Sequence, residues 1–389
     1  MNRHVPATSG LESRATNVPE SIIRKLANAA MHRPELISLW FGESNLETPD
    51  FIKDAAIKAI QAGESFYSEG LGRPFLREAI AKYTTDLYGV DIPSDRVAVT
   101  VSGLNALNLA FQCVLEEGDL VVTPTPTWPN ILSVPALQGA RVETQSLSFG
   151  STGWGIDLEQ FLETTAGAKC VLINSPANPT GWMMNSAEQR YLLETMRERG
   201  TWLIADEVYA RLCFSDRAAP SFLEVAEPED RLIVINSFSK SWAMTGWRLG
   251  WLTLPSSLTP VLEKIIEFSV SCAPPFTQRA GVAALEHGEQ FVQQQVYDLK
   301  RSLNLTEALL TQSDRIEFHK PAATFYAYFR VDGVVDGIAF AKKLIDKVDV
   351  GIAPGVAFER NAEDWFRLCF AKSDTQLTEA LSRILLLIT

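Results

Sequence analysis

The sequence has few features of a secreted, membrane-bound or nucleic-acid-binding protein. Its 389 residues include five cysteines, an odd number with no CxxC pair, so neither a disulfide framework nor a metal site is expected. The first twenty residues lack the apolar core of a signal peptide, and the late apolar run at 384–388 is too short to span a bilayer. A formal net charge of −12 disfavours general attraction to nucleic acid or anionic membranes. We therefore expect a cytoplasmic protein with free, buried cysteines.

What the sequence does contain is an alternation of short apolar runs with helical stretches. With 46% hydrophobic and 21% charged residues, the chain is long enough for a large core and a second, smaller lobe. Helical patterns such as 104–115 and 187–199 fall between several of the apolar runs, which predicts a mainly parallel sheet with helices on its faces. The predicted strands are 96–101, 120–124, 169–174, 202–205 and 232–236.

Four loops at the ends of these strands carry unusual sets of residues. Ligands of open α/β sheets bind beyond the carboxyl ends of the strands, so these loops are where chemistry is expected. Each loop alone is a weak signal, because a turn, a helix cap or a surface loop accounts for it equally well. The loops read SGLN at 102–105, NSPANPTG at 174–181, DEVY at 206–209, and SFSK at 237–240, which runs on to Arg248.

Taken together and in this order, the loops resemble those of the aspartate-aminotransferase-like, class I/II aminotransferases of fold type I, which use pyridoxal 5'-phosphate (PLP). The resemblance covers nearly the whole chain. It implies an α/β fold in which a large domain holds a mainly parallel seven-stranded sheet flanked by helices, beside a smaller α+β domain. Further matches are Gly42 in LWFGE, Tyr67 in FYSEGLGRPFLREAI, Trp128 in PTPTWPN and Arg367 in WFRLCFA.

The resemblance also implies a division of the chain into domains. Residues 1–45 would belong to the small domain, residues 46–290 would form the large PLP-binding domain, and residues 291–389 would complete the small domain. The sequence itself supports the last segment, because helical periodicity at 291–310 is followed by strands such as 324–330 and helices such as 337–347.

Three residues, Lys240, Asp206 and Tyr209, are expected to carry the chemistry. The family's lysine, here Lys240, forms an imine with the cofactor aldehyde, which requires a deprotonated amine, and later moves a proton as general base and acid. Asp206 would hold a proton on the pyridine nitrogen, so that the ring can accept electrons. Tyr209 and Asn178 would donate hydrogen bonds to the phenolic oxygen of the ring. Glu207 is expected to be a neighbouring structural residue.

The cofactor phosphate is expected at the start of a helix, where the backbone amides of Gly103 and Leu104 and the positive end of the helix dipole favour an anion. Ser237 and Arg248 would complete this site, since an arginine eight residues after the lysine matches the family spacing. The resemblance further implies that Trp128 stacks on the ring. It also implies that Tyr67 reaches the phosphate of a neighbouring subunit, and hence a homodimer.

Arg367 is expected to bind the substrate α-carboxylate in a bidentate pair, helped by Gly42 and Asn178. The expected reaction is a ping-pong transfer of an amino group from an α-amino acid to a 2-oxo acid through the Lys240 Schiff base. The same scaffold also supports elimination and cyclopropane-forming lyases, and a non-catalytic PLP-binding regulator is a third alternative.

The sequence departs from the family pattern at positions that affect substrate choice. Leu104 stands where relatives that prefer dicarboxylic substrates often have a basic residue, and Trp182 follows NPTG where smaller residues are usual. These changes favour a pocket for neutral or aromatic side chains. The sequence leaves open whether Arg33, Arg211 or Arg279 supplies a clamp for a second carboxylate.

Overall fold

The computed structural model describes residues 13–388. Its α-helices are α1 (Arg14–Asn17), α2 (Ile22–Ala30), α3 (Asp50–Gln61), α4 (Pro74–Tyr88), α5 (Gly103–Val114), α6 (Pro129–Leu137), α7 (Leu158–Thr164), α8 (Ser186–Arg199), α9 (Phe238–Ser241), α10 (Thr259–Ser269), α11 (Pro275–His287), α12 (Glu289–Leu310), α13 (Gly337–Val348) and α14 (Asp374–Ile388). Its strands are β1 (Ile37–Ser38), β2 (Val97–Thr100), β3 (Leu120–Thr125), β4 (Arg141–Ser146), β5 (Ser148–Gly150), β6 (Gly153–Gly155), β7 (Cys170–Asn174), β8 (Trp202–Asp206), β9 (Leu232–Ser237), β10 (Gly250–Thr253), β11 (Ile316–Phe318), β12 (Tyr326–Val331), β13 (Val350–Gly351), β14 (Ala353–Pro354) and β15 (Trp365–Cys369).

The large sheet has seven strands in the order β2-β10-β9-β8-β7-β3-β4. β10 runs antiparallel to both of its neighbours, whereas the pairs from β9 to β4 are parallel. The central strands are apolar throughout because both faces of the sheet are covered, and alternate residues enter two separate cores. In β8, for example, Leu203 and Ala205 pack on one face and Ile204 on the other. The predicted mainly parallel seven-stranded sheet is confirmed.

The second sheet is antiparallel, in the order β11-β12-β15-β14. Apolar residues of α12 and α14, such as Leu303 and Leu381, pack in one core with Phe329 and Phe366 of its strands. The N-terminal segment joins this region through β1, which pairs in parallel with β13. The predicted smaller α+β part is thus present. The proposed boundaries at residues 45 and 290 stay a prediction, and the ends of the outer segments, 1–12 and 389, lie outside the described residues.

The strands found from apolar runs match β2, β3, β7, β8 and β9 to within two residues at each end. Two strands of the large sheet were missed. β4 is largely polar because it lies at the sheet edge, and β10, with the sequence GWLT, is a short strand that begins at a glycine. All five cysteines are free, as expected, but only three of them are buried, since Cys113 and Cys272 are half-buried. Within residues 13–388, no helix is both long and apolar enough to cross a membrane.

Candidate active site

A cavity of about 430 Å³ lies between the carboxyl ends of the large-sheet strands and the second sheet. A larger groove of about 620 Å³ between α2 and α13 is lined by apolar residues and by ionisable side chains that are not buried. The cavity, in contrast, brings together nearly every site residue that the sequence singles out. Its predicted lining residues are Gly42, Gly103, Leu104, Trp128, Asn178, Asp206, Tyr209, Ser237, Lys240, Arg248 and Arg367.

Lys240 lies on α9, the short helix that follows the central strand β9. The side chain of Ser237 caps this helix by accepting a hydrogen bond from the Ser239 amide. Lys240 Nζ donates a 2.7 Å hydrogen bond to the Gly42 carbonyl oxygen and lies 5.7 Å from the ring centroid of Tyr209. Burial lowers the pKa of Lys240 to about 8, and the positive charge of Arg367 acts in the same direction. The amine is therefore far easier to deprotonate than a solvated lysine.

Asp206 ends β8 and is buried at the floor of the cavity. Burial raises the pKa of its carboxyl group to about 6, although the Val208 amide, which donates to Oδ1 at 3.3 Å, and the charge of Lys240 both lower it. Among residues 13–388, no cation lies within ion-pair distance of this carboxylate. A cationic group bound in the cavity would supply the missing partner and favour the ionised form.

Arg367 is buried on β15 at the opposite side of the cavity. Its Nη1 donates to Asn178 Oδ1 at 2.8 Å, and its Nη2 donates to the Trp40 carbonyl oxygen. The guanidinium carbon lies 4.3 Å from the ring centroid of Tyr326 and 4.7 Å from that of Phe358. The Nε atom is buried without a hydrogen-bond partner. A buried guanidinium with an unused donor is suited to an anionic ligand.

Tyr326 is a lining residue that sequence reasoning missed. Its hydroxyl lies 2.8 Å from the Tyr209 hydroxyl, and a side chain at Gly42 would overlap it, so glycine is required there. Burial raises the pKa of Tyr326 to about 12 and that of Tyr209 well above its usual value, so both phenols stay protonated. No sequence pattern singles out Tyr326, because its place is set by the pairing of β12 with β15, which puts it opposite Cys369, two residues from Arg367.

The remaining end of the cavity is built by the start of α5 and by the side chains of Ser237 and Arg248. The Ser102 side chain caps α5 by accepting a 3.0 Å hydrogen bond from the Asn105 amide, which leaves the amides of Gly103 and Leu104 at the cavity. Close packing makes glycine useful at position 103, since an added Cβ would lie 3.3 Å from Ser237 Cβ. Arg248 is exposed and has a left-handed backbone, with φ +54°. Such strain is often found at functional sites.

Three predicted or suspected residues lie elsewhere. Tyr67 is 86% exposed and does not line the cavity of its own chain. Trp182 is buried in the core beneath the large sheet, so it does not shape the pocket. Glu207 is buried outside the cavity, where its carboxyl group accepts hydrogen bonds from the Ser221 hydroxyl at 2.7 Å and the Phe222 amide at 2.9 Å.

None of the three arginines considered as a clamp for a second carboxylate lines the cavity. Arg33 pairs with Asp346, Arg211 with Glu289 and Arg279 with Glu64, at distances of 2.8, 2.9 and 3.0 Å. Within one chain, these three side chains are committed to other partners. The cavity does contain an arginine that no sequence motif singles out, Arg24 of α2.

Comparison with known proteins identifies this arrangement. A family model described as aminotransferase class I and II matches residues 34–384. The chain belongs to this family. The aminotransferase is 34% identical to an aspartate aminotransferase of Thermotoga maritima over 376 residues, covering 95% of this chain and 97% of the relative. It is 32% identical to a probable aspartate aminotransferase of Methanocaldococcus jannaschii, covering 96% and 98%.

The fold agrees with solved structures of the family. The crystal structure of the aspartate aminotransferase from Thermotoga maritima superposes with a TM-score of 0.87 at 33% identity, covering 96% of this chain and 98% of that one. The resemblance inferred from the sequence motifs and the expected aminotransferase function are therefore confirmed. Enzymes of this family use PLP in general.

Proposed function

We propose that this aminotransferase binds PLP in the cavity, attaches it to Lys240, and transfers an amino group from an α-amino acid to a 2-oxo acid. The observation that carries the proposal is the meeting of three groups in one cavity: a lysine whose pKa is lowered to about 8, a buried unpaired carboxylate at Asp206, and a buried guanidinium at Arg367. These are the groups needed to bind an aldehyde, a cationic ring nitrogen and a carboxylate.

The cavity residues fit the cofactor at both of its ends. Arg248 and Ser237, with the amides at the start of α5, offer hydrogen-bond donors and positive charge for a phosphate group. Asp206 lies at the end of the neighbouring strand, where a carboxylate without an ion-pair partner suits a protonated ring nitrogen. The flat side chain of Trp128 also lines the cavity, as stacking on a ring requires.

When bound, PLP supplies an electrophilic aldehyde and a cationic ring that accepts electrons from the substrate α-carbon. Lys240 then serves twice. Its neutral amine would hold the cofactor through the aldehyde carbon, and the amine, when free, would accept the proton from the substrate α-carbon and donate it at C4′ of the cofactor. The low pKa favours the first of these roles, since an amine with a pKa of about 8 is partly neutral at physiological pH.

Arg367 orients the substrate. The guanidinium is fixed by Asn178, by the Trp40 carbonyl oxygen and by two aromatic rings, so little flexibility is lost when it binds a carboxylate. Binding of the α-carboxylate at this place selects α-amino acids over simple amines. It also fixes which bond of the α-carbon is presented to the Lys240 amine.

We further propose that the active form is a homodimer in which Tyr67 reaches the phosphate site of the second subunit. Tyr67 and the preceding Phe66 are 86% and 79% exposed, which is unusual for two adjacent large aromatic side chains. Burial against a second copy of the chain would remove this surface from water.

The proposal is tested by adding single amino acids to the purified PLP-loaded protein without any 2-oxo acid and recording absorbance. We expect the band of lysine-bound PLP to convert to that of pyridoxamine phosphate, with one equivalent of 2-oxo acid formed. The Lys240→Ala variant should lack the first band and lose at least about 100-fold in turnover, the lower range for removal of a general base. Lys343→Ala, an exposed lysine of α13, is the matched control.

Two results would contradict the proposal. Ammonia release with a persistent lysine-bound band indicates elimination rather than amino transfer. An absence of any Lys240-dependent band shows that the cofactor is not attached where we place it.

A further inference from the structure

Three consecutive residues between β1 and α3 each contact a different cation of the cavity. The Trp40 carbonyl oxygen accepts from Arg367, and the Gly42 carbonyl oxygen accepts from Lys240 at 2.7 Å. Between them, the ring of Phe41 supports Arg24, whose guanidinium carbon lies 4.7 Å from the ring centroid. This segment therefore contacts Arg24 as well as Arg367 and Lys240, and all three line the same cavity.

The position of Arg24 is set by the packing of α2. Ile23, the preceding residue, is buried in a core with Trp40 and Phe358, and Phe358 also lies 4.7 Å from the Arg367 guanidinium carbon. The helix is thus packed against Phe358, the ring that contacts Arg367 in the proposed α-carboxylate site. Arg24 lines the cavity, while the next residue, Lys25, lines the groove on the other side of the helix.

The charges of the cavity are unequal. Among the described residues that line it, Arg24, Lys240, Arg248 and Arg367 can be cationic, whereas Asp206 is the only carboxylate. Under the proposed function, Arg248 takes the phosphate, Arg367 takes the α-carboxylate, and Lys240 forms the covalent bond. Asp206 is then used by the ring nitrogen, which leaves Arg24 without an anion.

Arg24 also differs from the other arginines that could bind a second carboxylate. Arg33, Arg211 and Arg279 are each paired with a carboxylate outside the cavity. Within residues 13–388, the guanidinium of Arg24 has an aromatic contact but no ion pair or hydrogen bond. Its five donors are therefore free for a ligand.

We propose that Arg24 binds an anionic group at the end of the substrate side chain, so that amino acids with a side-chain carboxylate are preferred donors. This inference rests on the proposed function and assigns to α2 the role that a basic residue at position 104 would otherwise fill. It revises the expectation of a neutral or aromatic preference, which followed from Leu104 and Trp182.

The test compares L-aspartate and L-glutamate with L-alanine and L-norvaline in the PLP-loaded protein, before and after Arg24→Gln. We expect kcat/KM for the acidic donors to fall at least about 10-fold, as for loss of one charge-assisted hydrogen bond, with the neutral donors little changed. Binding of succinate and butyrate, followed by calorimetry, gives a readout independent of turnover. Succinate should bind more tightly than butyrate, and Arg24→Gln should remove the difference.

Lys25→Gln is the matched control, because Lys25 is an exposed cation on the same helix whose partner, Glu20, is 3.1 Å away. Lys25→Gln should leave unchanged both the ratio of kcat/KM for acidic to neutral donors and the ratio of affinities for succinate and butyrate. The inference is overturned if Arg24→Gln changes the ratio of kcat/KM for acidic to neutral donors less than twofold, or lowers kcat/KM equally for all four donors. In either case conversion of donors by the unmodified protein still supports the proposed function. Failure of the unmodified protein to convert any donor overturns the proposed function, and the role of Arg24 with it.

Discussion

The two sides of the cavity are built in different ways. On the large-sheet side, Asp206 ends β8 and Lys240 lies three residues after the adjacent parallel strand β9. The nearby Val208 amide holds the Asp206 side chain, and a long-range contact on this side is that of Lys240 with the Gly42 carbonyl oxygen. On the opposite side, Arg367 is held by Asn178, by the Trp40 carbonyl oxygen and by the ring of Tyr326, residues far apart in the chain.

This difference separates two kinds of function. The large-sheet side holds ionisable groups whose pKa values burial moves towards neutrality, with Asp206 raised to about 6 and Lys240 lowered to about 8. Such groups are suited to proton transfer. The other side holds a buried permanent charge in a fixed setting, which is suited to binding and orientation. Variants on the two sides should therefore affect different kinetic constants.

The largest contrast is expected for Arg367→Lys. Lysine keeps the charge but loses the planar pair of donors, so the hydrogen bond to Asn178 and the unused Nε donor are both lost. We expect kcat/KM for amino acids to fall roughly 10- to 100-fold, mainly through KM, as for removal of one hydrogen bond to a charged group. Steady-state kinetics with a saturating 2-oxo acid would measure this.

Arg330→Lys is the matched control, since Arg330 lies on the exposed side of β12 and pairs with Asp364 at 2.6 Å. Arg330→Lys should leave kcat and KM unchanged. A fall in kcat alone for Arg367→Lys, with KM unaltered, would contradict a binding role and remove the contrast between the two sides.

The same contrast explains what could be read from the sequence. Buried parallel strands leave a strong apolar signal, so the positions of β7, β8 and β9 were predictable, and with them the loops that carry Asn178, Asp206 and Lys240. Parallel strands bring these loops to one edge, which makes their proximity a physical expectation.

The other side gave no such local signal. Arg367 and Gly42 were found by family resemblance, because no local pattern shows that β15 and the segment after β1 meet. Tyr326 lies in a strand that is buried except at Arg330, where a tyrosine is unremarkable. Arg24 lies on an amphipathic helix where an exposed arginine is equally unremarkable. Long-range packing alone places these two side chains in the cavity.

A smaller effect, specific to the large-sheet side, is expected from pH. Only the neutral Lys240 amine binds an aldehyde, so the rate at which PLP attaches to the cofactor-free protein should rise with pH through about 8 and then level off. For that pKa, the neutral fraction grows roughly tenfold between pH 7 and pH 9, whereas an ordinary lysine would still be rising steeply at pH 9. Stopped-flow absorbance at a fixed PLP concentration would follow this.

Arg367→Met provides a check on the cause of the low Lys240 pKa. Removing the positive charge should raise the pKa of Lys240 and move the inflection to higher pH, because that charge disfavours the protonated amine. An attachment rate that keeps rising beyond pH 10 in the unmodified protein would show that Lys240 is not desolvated in solution.

The smallest effect is expected for Tyr326→Phe, which removes a hydrogen bond between Tyr209 and the second sheet. Its hydroxyl pairs with that of Tyr209 at 2.8 Å, and loss of one neutral hydrogen bond costs about 1 kcal/mol, or roughly fivefold in kcat/KM. The pKa of the PLP chromophore should shift as well, since Tyr209 would lose a partner.

Tyr328→Phe, on the same strand, is the control because its buried hydroxyl has no hydrogen-bond partner within residues 13–388. Equal effects of the two variants would mean that the tyrosine pair does not couple the two sides of the cavity.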